Sequence, residues 1–169
     1  MIRRFHDAAG SFEDPERFEW SRRGRDPSGP REILCHNDLA PWNLVRRRDG
    51  RWIFIDWDLA APGRRSWDLA WALLTIVPLM PESGLSDPRC VERIRLFRDA
   101  YGRSQFPDDV LAVAVERCAR EADLIARLGA SGEAPYNHLL RDGHGEIWHA
   151  ATAHIAARRS DWQSSLSVA

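Results

Sequence analysis

Hydrophobic and polar residues follow two different periods along the chain, and the change comes near residue 65. Before it, short apolar runs of period two predict strands. These runs are EILC (32–35), NLVRR (43–47) and RWIFID (51–56). The last two flank Asp49-Gly50, a dipeptide typical of hairpin turns because both residues tolerate positive φ. A β-hairpin is therefore predicted here.

Helical periodicity marks the first residues and most of the chain after residue 65. Residues 2–9 place apolar side chains on one face and end at Gly10. The run SWDLAWALLTIV is apolar on nearly all sides, which is typical of a buried helix with Ser66 as N-cap and Pro78 at its end. Three further helices are predicted, from Ser86 or Asp87 to about Gly102, from Pro107 to Gly129, and over about 144–159. Segments 13–32 and 131–143 read as loops.

This order of elements predicts an α+β fold that is mainly helical. At 169 residues a single domain, 1–169, is expected, and a domain of this size buries roughly 70% of the surface of its unfolded chain. Within it the pattern separates a small β-hairpin cluster at 33–58 from a helical subdomain at 66–160.

Composition narrows the classes of function. The 24 basic and 25 acidic residues give a net charge of -1, so no overall field attracts nucleic acid or an anionic membrane. Every basic residue is arginine, and without lysine the chain cannot use that side chain as Schiff base, general base or phosphate clamp. Cys35, Cys90 and Cys118 are too scattered for a disulfide framework or a zinc ribbon, and a reducing cytoplasm is expected. With no apolar run approaching about 18 residues, neither export nor membrane insertion is predicted.

The densest polar chemistry lies in ILCHNDLAPWNLV, residues 33–45. His36, Asp38 and Asn43 fit H-x-D-x-x-x-x-N, the kinase pattern in which the aspartate accepts a hydroxyl proton and the asparagine binds a metal ion. Asp56 follows at the end of the second hairpin strand, in FIDWD. An amide and a carboxylate at the two ends of one hairpin can meet on Mg²⁺, which prefers oxygen ligands. Asp38 would then deprotonate an alcohol in line with a γ-phosphate.

LCHNDLAPWNLV, IFIDWD and SWDLAWAL resemble the C-terminal lobe of the aminoglycoside phosphotransferase and choline kinase-like superfamily, small-molecule kinases with a protein-kinase-like fold. The resemblance implies Asp38 as catalytic base and Asn43 and Asp56 as magnesium ligands. It also implies that His36 braces the loop and that Asp68, at a helix start, hydrogen-bonds to the catalytic region.

The same resemblance implies an ATP-dependent phosphotransferase with Mg²⁺ as cofactor and ATP or GTP as donor. The acceptor would be a hydroxyl of an aminoglycoside-like compound, an amino sugar or an amino alcohol. The family's N-terminal lobe, with its glycine loop and phosphate-gripping lysine, has no counterpart in this sequence. We therefore expect half of the adenine pocket to be absent and an apolar surface to be exposed, with a missing lobe or a partner chain completing the site.

Three alternatives to this interpretation remain open. The H-x-D-x-x-x-x-N pattern would also suit an Asx-rich turn between strands. Asp56 and Asp58 form a D-x-D triplet of the kind that binds metal in nucleotide-sugar glycosyltransferases, although no nucleotide-binding βαβ unit precedes it. A catalytically inactive, kinase-like binding module would keep the motif without turnover.

Other side chains have both a structural and a functional interpretation. The run Arg46–Arg48 would grip a phosphate or form a solvated strand end. Trp67 and Trp71 are expected in the core. The spacings of the C-terminal histidines argue against a metal site and favour solvated or capping roles. Where the family builds its acceptor pocket, three residues would touch the substrate or be buried, namely Tyr136, Asp142 and Trp148.

Overall fold

The computed structural model describes residues 1–12, 17–27 and 29–167. Its α-helices are α1 Ile2–Ala9, α2 Arg65–Thr75, α3 Asp87–Tyr101, α4 Val110–Ala130, α5 Tyr136–Arg141 and α6 His144–Ser167. Its strands are β1 Ile33–Cys35, β2 Leu44–Arg46, β3 Trp52–Phe54 and β4 Ala61–Gly63. The mainly helical α+β composition agrees with the prediction, whereas the division into a hairpin cluster and a helical subdomain stays a prediction.

The strands form two small antiparallel sheets. β2 pairs with β3 in the predicted hairpin, but its turn is wider than a two-residue one, since the N–H of Arg47 donates to the carbonyl of Arg51 at 2.7 Å. Of Asp49 and Gly50 only the glycine has a positive φ, of 84°. β1 pairs with β4, which the sequence did not predict because Pro62 at its centre lacks an N–H and is atypical of strands.

The predicted helices occur in place, with differences at their ends. α1 has the predicted bounds, and α3 begins directly after Ser86. α2 begins at Arg65, so the proposed N-cap Ser66 is wrong; its hydroxyl instead donates to Asp109 across the helix interface. α4 continues through Gly129 to Ala130, and α6 extends to Ser167 rather than ending near 159.

Two loop predictions have different outcomes. α5 lies inside the segment 131–143 that was predicted as a loop, because six residues are too short to show a clear helical period. In the segment 13–32, the described residues contain neither an α-helix nor a strand, as predicted. Residues 13–16 and 28 of that segment lie outside the described residues.

The core lies between α2, α3, α4 and α6. Every residue of α2 from Ser66 to Leu74 is buried, which confirms the prediction of a helix surrounded on all sides. α4 packs against α2, α5 and α6 and so lies centrally among the helices. In the described part of the chain, no helix has the length and apolar character needed to cross a lipid bilayer.

Ile94 and Leu96 test this arrangement of the core. Both lie on α3, but Ile94 is fully buried and Leu96 is 64% exposed. We expect Ile94→Ala to lower the free energy of unfolding by about 2–5 kcal/mol, because it removes buried methyl groups and leaves a cavity. Leu96→Ala should change it by less than about 0.5 kcal/mol. Urea denaturation measures both, and equal losses would contradict the packing.

Candidate active site

The motif loop, residues 36–43, brings Asp38 and Asn43 into direct contact. Asn43 ends a 3-10 turn that begins at Pro41, and its side chain is buried. Its amide nitrogen donates to Asp38 Oδ2 at 2.7 Å and to the Asp38 carbonyl at 3.1 Å. Because the nitrogen is used on Asp38, the carbonyl oxygen of the Asn43 side chain stays available as a ligand.

Two indoles complete the surroundings of the half-buried Asp38 carboxylate. Trp71 Nε1 donates to Oδ1 at 2.6 Å, and Trp42 Nε1 donates to Oδ2 at 3.4 Å. Donors therefore reach both carboxylate oxygens, and they fix how the group is turned.

The hydrogen bonds between β2 and β3 bring Asp56 to the same end of the hairpin as Asn43. Beyond the pair Leu44 and Phe54, the N–H of Ile55 donates to the Asn43 carbonyl at 3.0 Å, so the strands stay together up to the residue before Asp56. Asp56 itself is exposed and has φ 64°, a left-handed conformation that is uncommon outside glycine. The two predicted ligands thus lie at the same end of the hairpin.

His36 ties the motif loop to the strand that leads to Asp56. The ring is fully buried, and its Nδ1 accepts the N–H of Asp38 at 3.2 Å. Nε2 therefore carries the ring proton and donates it to the Ile55 carbonyl at 3.0 Å. The ring also lies 4.4 Å from that of Trp57, centroid to centroid.

Asp68 holds the start of the motif loop from the first turn of α2. It is fully buried; Oδ1 accepts the N–H of Asn37 at 2.8 Å, and Oδ2 accepts the N–H of His36 at 3.0 Å and contacts His6 Nε2 at 3.1 Å. Burial raises the pKa of Asp68, but the hydrogen bonds from His6 and the two backbone groups outweigh it and bring the pKa below the ordinary 3.8. Asp68 is therefore an ionised acceptor at neutral pH.

His6 was not predicted to take part in the site. It is fully buried and connects Asp68 to α3, since its Nδ1 lies 2.9 Å from the Tyr101 hydroxyl. Arg65 donates to the same hydroxyl at 3.3 Å, which leaves the hydroxyl proton free for His6. A single histidine offers little signal in a sequence, although its place four residues after Ile2 puts it on the buried face of α1.

Arg117 of α4 was also missed. Its buried guanidinium donates to the Asn37 carbonyl at 2.6 Å and lies 4.7 Å from the ring centroids of both Trp67 and Trp71. Asn37 has φ 67°, and its side chain donates to the Leu59 carbonyl at 2.8 Å. These bonds hold a backbone conformation that would otherwise be unfavourable.

Comparison with known proteins identifies the family. Residues 3–109 match the model of the phosphotransferase enzyme family. The chain belongs to this family. The predicted membership of the aminoglycoside phosphotransferase superfamily is thereby confirmed. The match covers the motif loop, the hairpin and α2, and it ends before Arg117.

A relative from bacteria adds a second comparison. The chain is 32% identical over 146 residues to the trifolitoxin immunity protein of Rhizobium leguminosarum bv. trifolii. The aligned region covers 79% of this chain and 56% of the relative. The chain thus spans little more than half the length of that protein. No solved structure matches the chain.

Apolar side chains are exposed on both faces of the hairpin and in the turn before it, in this phosphotransferase family member. Among them are Trp42 at 62%, Trp52 at 51%, and Val45, Ile53 and Ile55 at 38–40%. Val45 and Ile53 are direct cross-strand partners, so the exposed surface continues across both strands. Val45, Ile53 and Ile55 therefore lie on one face of the hairpin and form a shared exposed apolar surface.

The remaining sequence candidates divide between core and surface. Trp67 and Trp71 are buried, as predicted, and Trp71 also stacks on Trp148 with the ring centroids 5.3 Å apart. Tyr136 is buried and Asp142 is exposed. The arginines 46–48 are all exposed, which agrees with a solvated strand end.

Asp68→Asn tests the buried acceptor. Because the folded-state pKa is lowered, the contribution of Asp68 to stability is complete above the unfolded value of about 3.9 and is lost as the pH falls below it. The variant should lose about 1.5–3 kcal/mol of unfolding free energy at pH 7, and the difference from the unsubstituted protein should shrink below about pH 4.

Asp123→Asn is the control, since the Asp123 side chain is 68% exposed and its closest approach to Arg127 is 3.8 Å. It should change stability by less than about 0.5 kcal/mol at either pH. Urea denaturation at both pH values provides the comparison. A loss in Asp68→Asn that is independent of pH would argue against the ionised acceptor.

Proposed function

We propose that the chain is the catalytic-loop lobe of an ATP-dependent phosphotransferase, which moves the γ-phosphate of ATP or GTP to a hydroxyl of a small molecule. The observation that carries the proposal is the contact of Asn43 with Asp38 at the end of the hairpin where Asp56 follows β3, in a chain of the phosphotransferase enzyme family. Phosphoryl transfer needs positioned groups and compensated charge more than covalent chemistry from the protein.

Asp38 is the proposed base. Its Oδ1 and Oδ2 are each engaged by a donor, yet a carboxylate oxygen has two lone pairs and can accept a further hydrogen. As the acceptor oxygen bonds to the γ-phosphorus, its proton passes to Asp38 and the bond to the nucleoside diphosphate breaks. Asn43 and Trp71 hold the carboxylate in one orientation throughout.

Asn43 and Asp56 are the proposed ligands of Mg²⁺, and their chemistry fits. The Asn43 amide nitrogen is engaged on Asp38, which leaves its carbonyl oxygen, and the exposed Asp56 carboxylate adds hard oxygen donors nearby. Mg²⁺ takes one or two protein ligands beside phosphate oxygens, and when bound it would neutralise phosphate charge. His36 and Asp68 would keep the two ligands together through the loop backbone.

The acceptor is proposed to bind near Trp148. This side chain stacks on Trp71, whose N–H reaches Asp38, and it also lines a cavity of about 570 Å³ with Met80 and Ile147. Glu82 and Arg93 bring charges of both signs to the same cavity. Such a mixed lining suits a polar hydroxyl compound such as an aminoglycoside-like molecule, an amino sugar or an amino alcohol.

The face of the hairpin that carries Val45, Ile53 and Ile55 is proposed to contact a further lobe, on this polypeptide or on a partner chain. The exposed Val45, Ile53 and Ile55, and the coverage of 56% of the immunity protein, support this. Such a lobe would form the second wall around the adenine. A cytoplasmic location, where nucleotide is plentiful, belongs to the same proposal.

Calorimetry with Mg-ATP tests the nucleotide site. Asp56→Ala removes a ligand carboxylate and should weaken Mg-ATP binding at least about tenfold, the size of a lost charged contact. Asp58→Ala is the matched control, because Asp58 is also exposed, lies two residues away and is outside the motif. Removing Mg²⁺ with a chelator should have the same effect as Asp56→Ala. Equal effects of the two alanine variants would contradict the assignment.

A second candidate is a module that binds a toxin or its target without turnover. The similarity to a protein named for trifolitoxin immunity favours it. Expression of the chain in trifolitoxin-sensitive cells separates the candidates, with Asp38→Asn compared to Asp58→Asn. Protection that survives only in Asp58→Asn supports catalysis, whereas protection by both supports binding alone. If even the unsubstituted chain gives no protection, the immunity candidate fails.

A further inference from the structure

One face of α2 contacts the motif loop, and successive residues of this face contact successive residues of the loop. Asp68 accepts the N–H groups of residues 36 and 37, Trp71 donates to the side chain of Asp38, and Thr75 Oγ1 donates to the Leu39 carbonyl at 3.0 Å. Positions 68, 71 and 75 lie on one helical face, so a single rigid element contacts four consecutive loop residues. Within this row only Trp71 touches the proposed base itself.

We infer that Trp71 is a positioning residue for Asp38 and that Arg117 holds Trp71 in place; the inference rests on the proposed function. The 2.6 Å bond from Trp71 reaches Oδ1, whereas the 2.7 Å bond from Asn43 reaches Oδ2. Trp42 adds a longer bond to Oδ2 at 3.4 Å, so Trp71 supplies the side-chain donor on Oδ1, and the carboxylate cannot turn about its Cβ–Cγ bond without losing a bond. Asn43 would also bind Mg²⁺, and Trp42 is 62% exposed and makes the longer bond, so the buried Trp71 is the donor best placed to hold the orientation.

Arg117 supplies the support for the indole. Its guanidinium lies 4.7 Å from the Trp71 centroid and 4.7 Å from that of Trp67, and it donates to the Asn37 carbonyl, one residue before Asp38. A planar guanidinium can lie against two rings and still donate sideways, which an ammonium group does less well. Arg117 thus fixes the base from two directions, through the indole and through the loop backbone.

Trp71→Phe is the direct test, measured as Mg-ATP hydrolysis with water as acceptor. Loss of the N–H donor should lower kcat about tenfold or more, as expected for a hydrogen bond to a charged group, and leave the KM for Mg-ATP unchanged. Trp162→Phe is the matched control, because Trp162 is buried on α6 and its Nε1 also donates to a carboxylate, Asp87 Oδ1, at 3.2 Å. It should leave kcat and KM unchanged. Arg117→Lys should lower kcat in the same way as Trp71→Phe.

Indole N–H resonances in a ¹H–¹⁵N spectrum provide a readout that needs no turnover, and the dispersion of the other resonances shows whether each variant is folded. Asp38→Asn should move the Trp71 resonance upfield, because an amide accepts more weakly than a carboxylate. The same change should leave the Trp162 resonance in place. Asp87→Asn should move the Trp162 resonance and leave that of Trp71.

The outcomes separate the two proposals. Hydrolysis that is equally affected by Trp71→Phe and Trp162→Phe, or a KM that rises with the fall in kcat, overturns the positioning role and leaves the phosphotransferase proposal intact. Absence of Mg-ATP binding and hydrolysis in the unsubstituted protein overturns the proposal that this chain holds a nucleotide site by itself, together with the catalytic part of the inference on Trp71. If the chemical shift of the Trp71 indole N–H does not change in Asp38→Asn, the hydrogen bond from Trp71 to Asp38 is contradicted.

Discussion

The buried carboxylate of Asp68 is the constraint on which the site depends. A charge without solvent is costly unless hydrogen bonds replace the lost water. Here two backbone N–H groups of the motif loop and the ring of His6 provide them. The loop therefore cannot relax to another conformation without leaving an ionised group unsolvated, and the left-handed backbone at Asn37 is held by this cost.

The same carboxylate links parts of the chain that are far apart in sequence. α1 contacts it through His6, and α3 is linked to it because Tyr101 hydrogen-bonds to that histidine. α4 is linked through Arg117, which donates to the carbonyl of Asn37. The hairpin joins from the other side, because His36 donates to the Ile55 carbonyl. The loop is thus a meeting point of helices and hairpin rather than a flexible connection, which is what a group that must orient a proton transfer requires.

The local part of this architecture was predictable from the sequence. The spacing of Asp38 and Asn43 fixes their contact within one short loop, and hairpin periodicity brings Asp56 to the same end. The unpredicted parts depend on pairings across long separations, since a lone histidine at position 6 or a lone arginine at 117 has no periodic partner. β4 was not predicted because Pro62 at its centre is unfavourable in a strand, and its pairing with β1 depends on tertiary structure.

The use of arginine alone for positive charge has a consequence for the electrostatics of the whole chain. Burial raises the pKa of Cys35, Cys90 and Cys118 above their ordinary 9.0, and the pKa values of both tyrosines above 10.0. The guanidinium group is in general a much weaker acid than the lysine ammonium group. Because the chain has no lysine, it lacks the side chain whose proton is normally lost near pH 10. Its electrophoretic mobility should therefore change less as the pH approaches 10 than that of a lysine-rich protein of the same net charge.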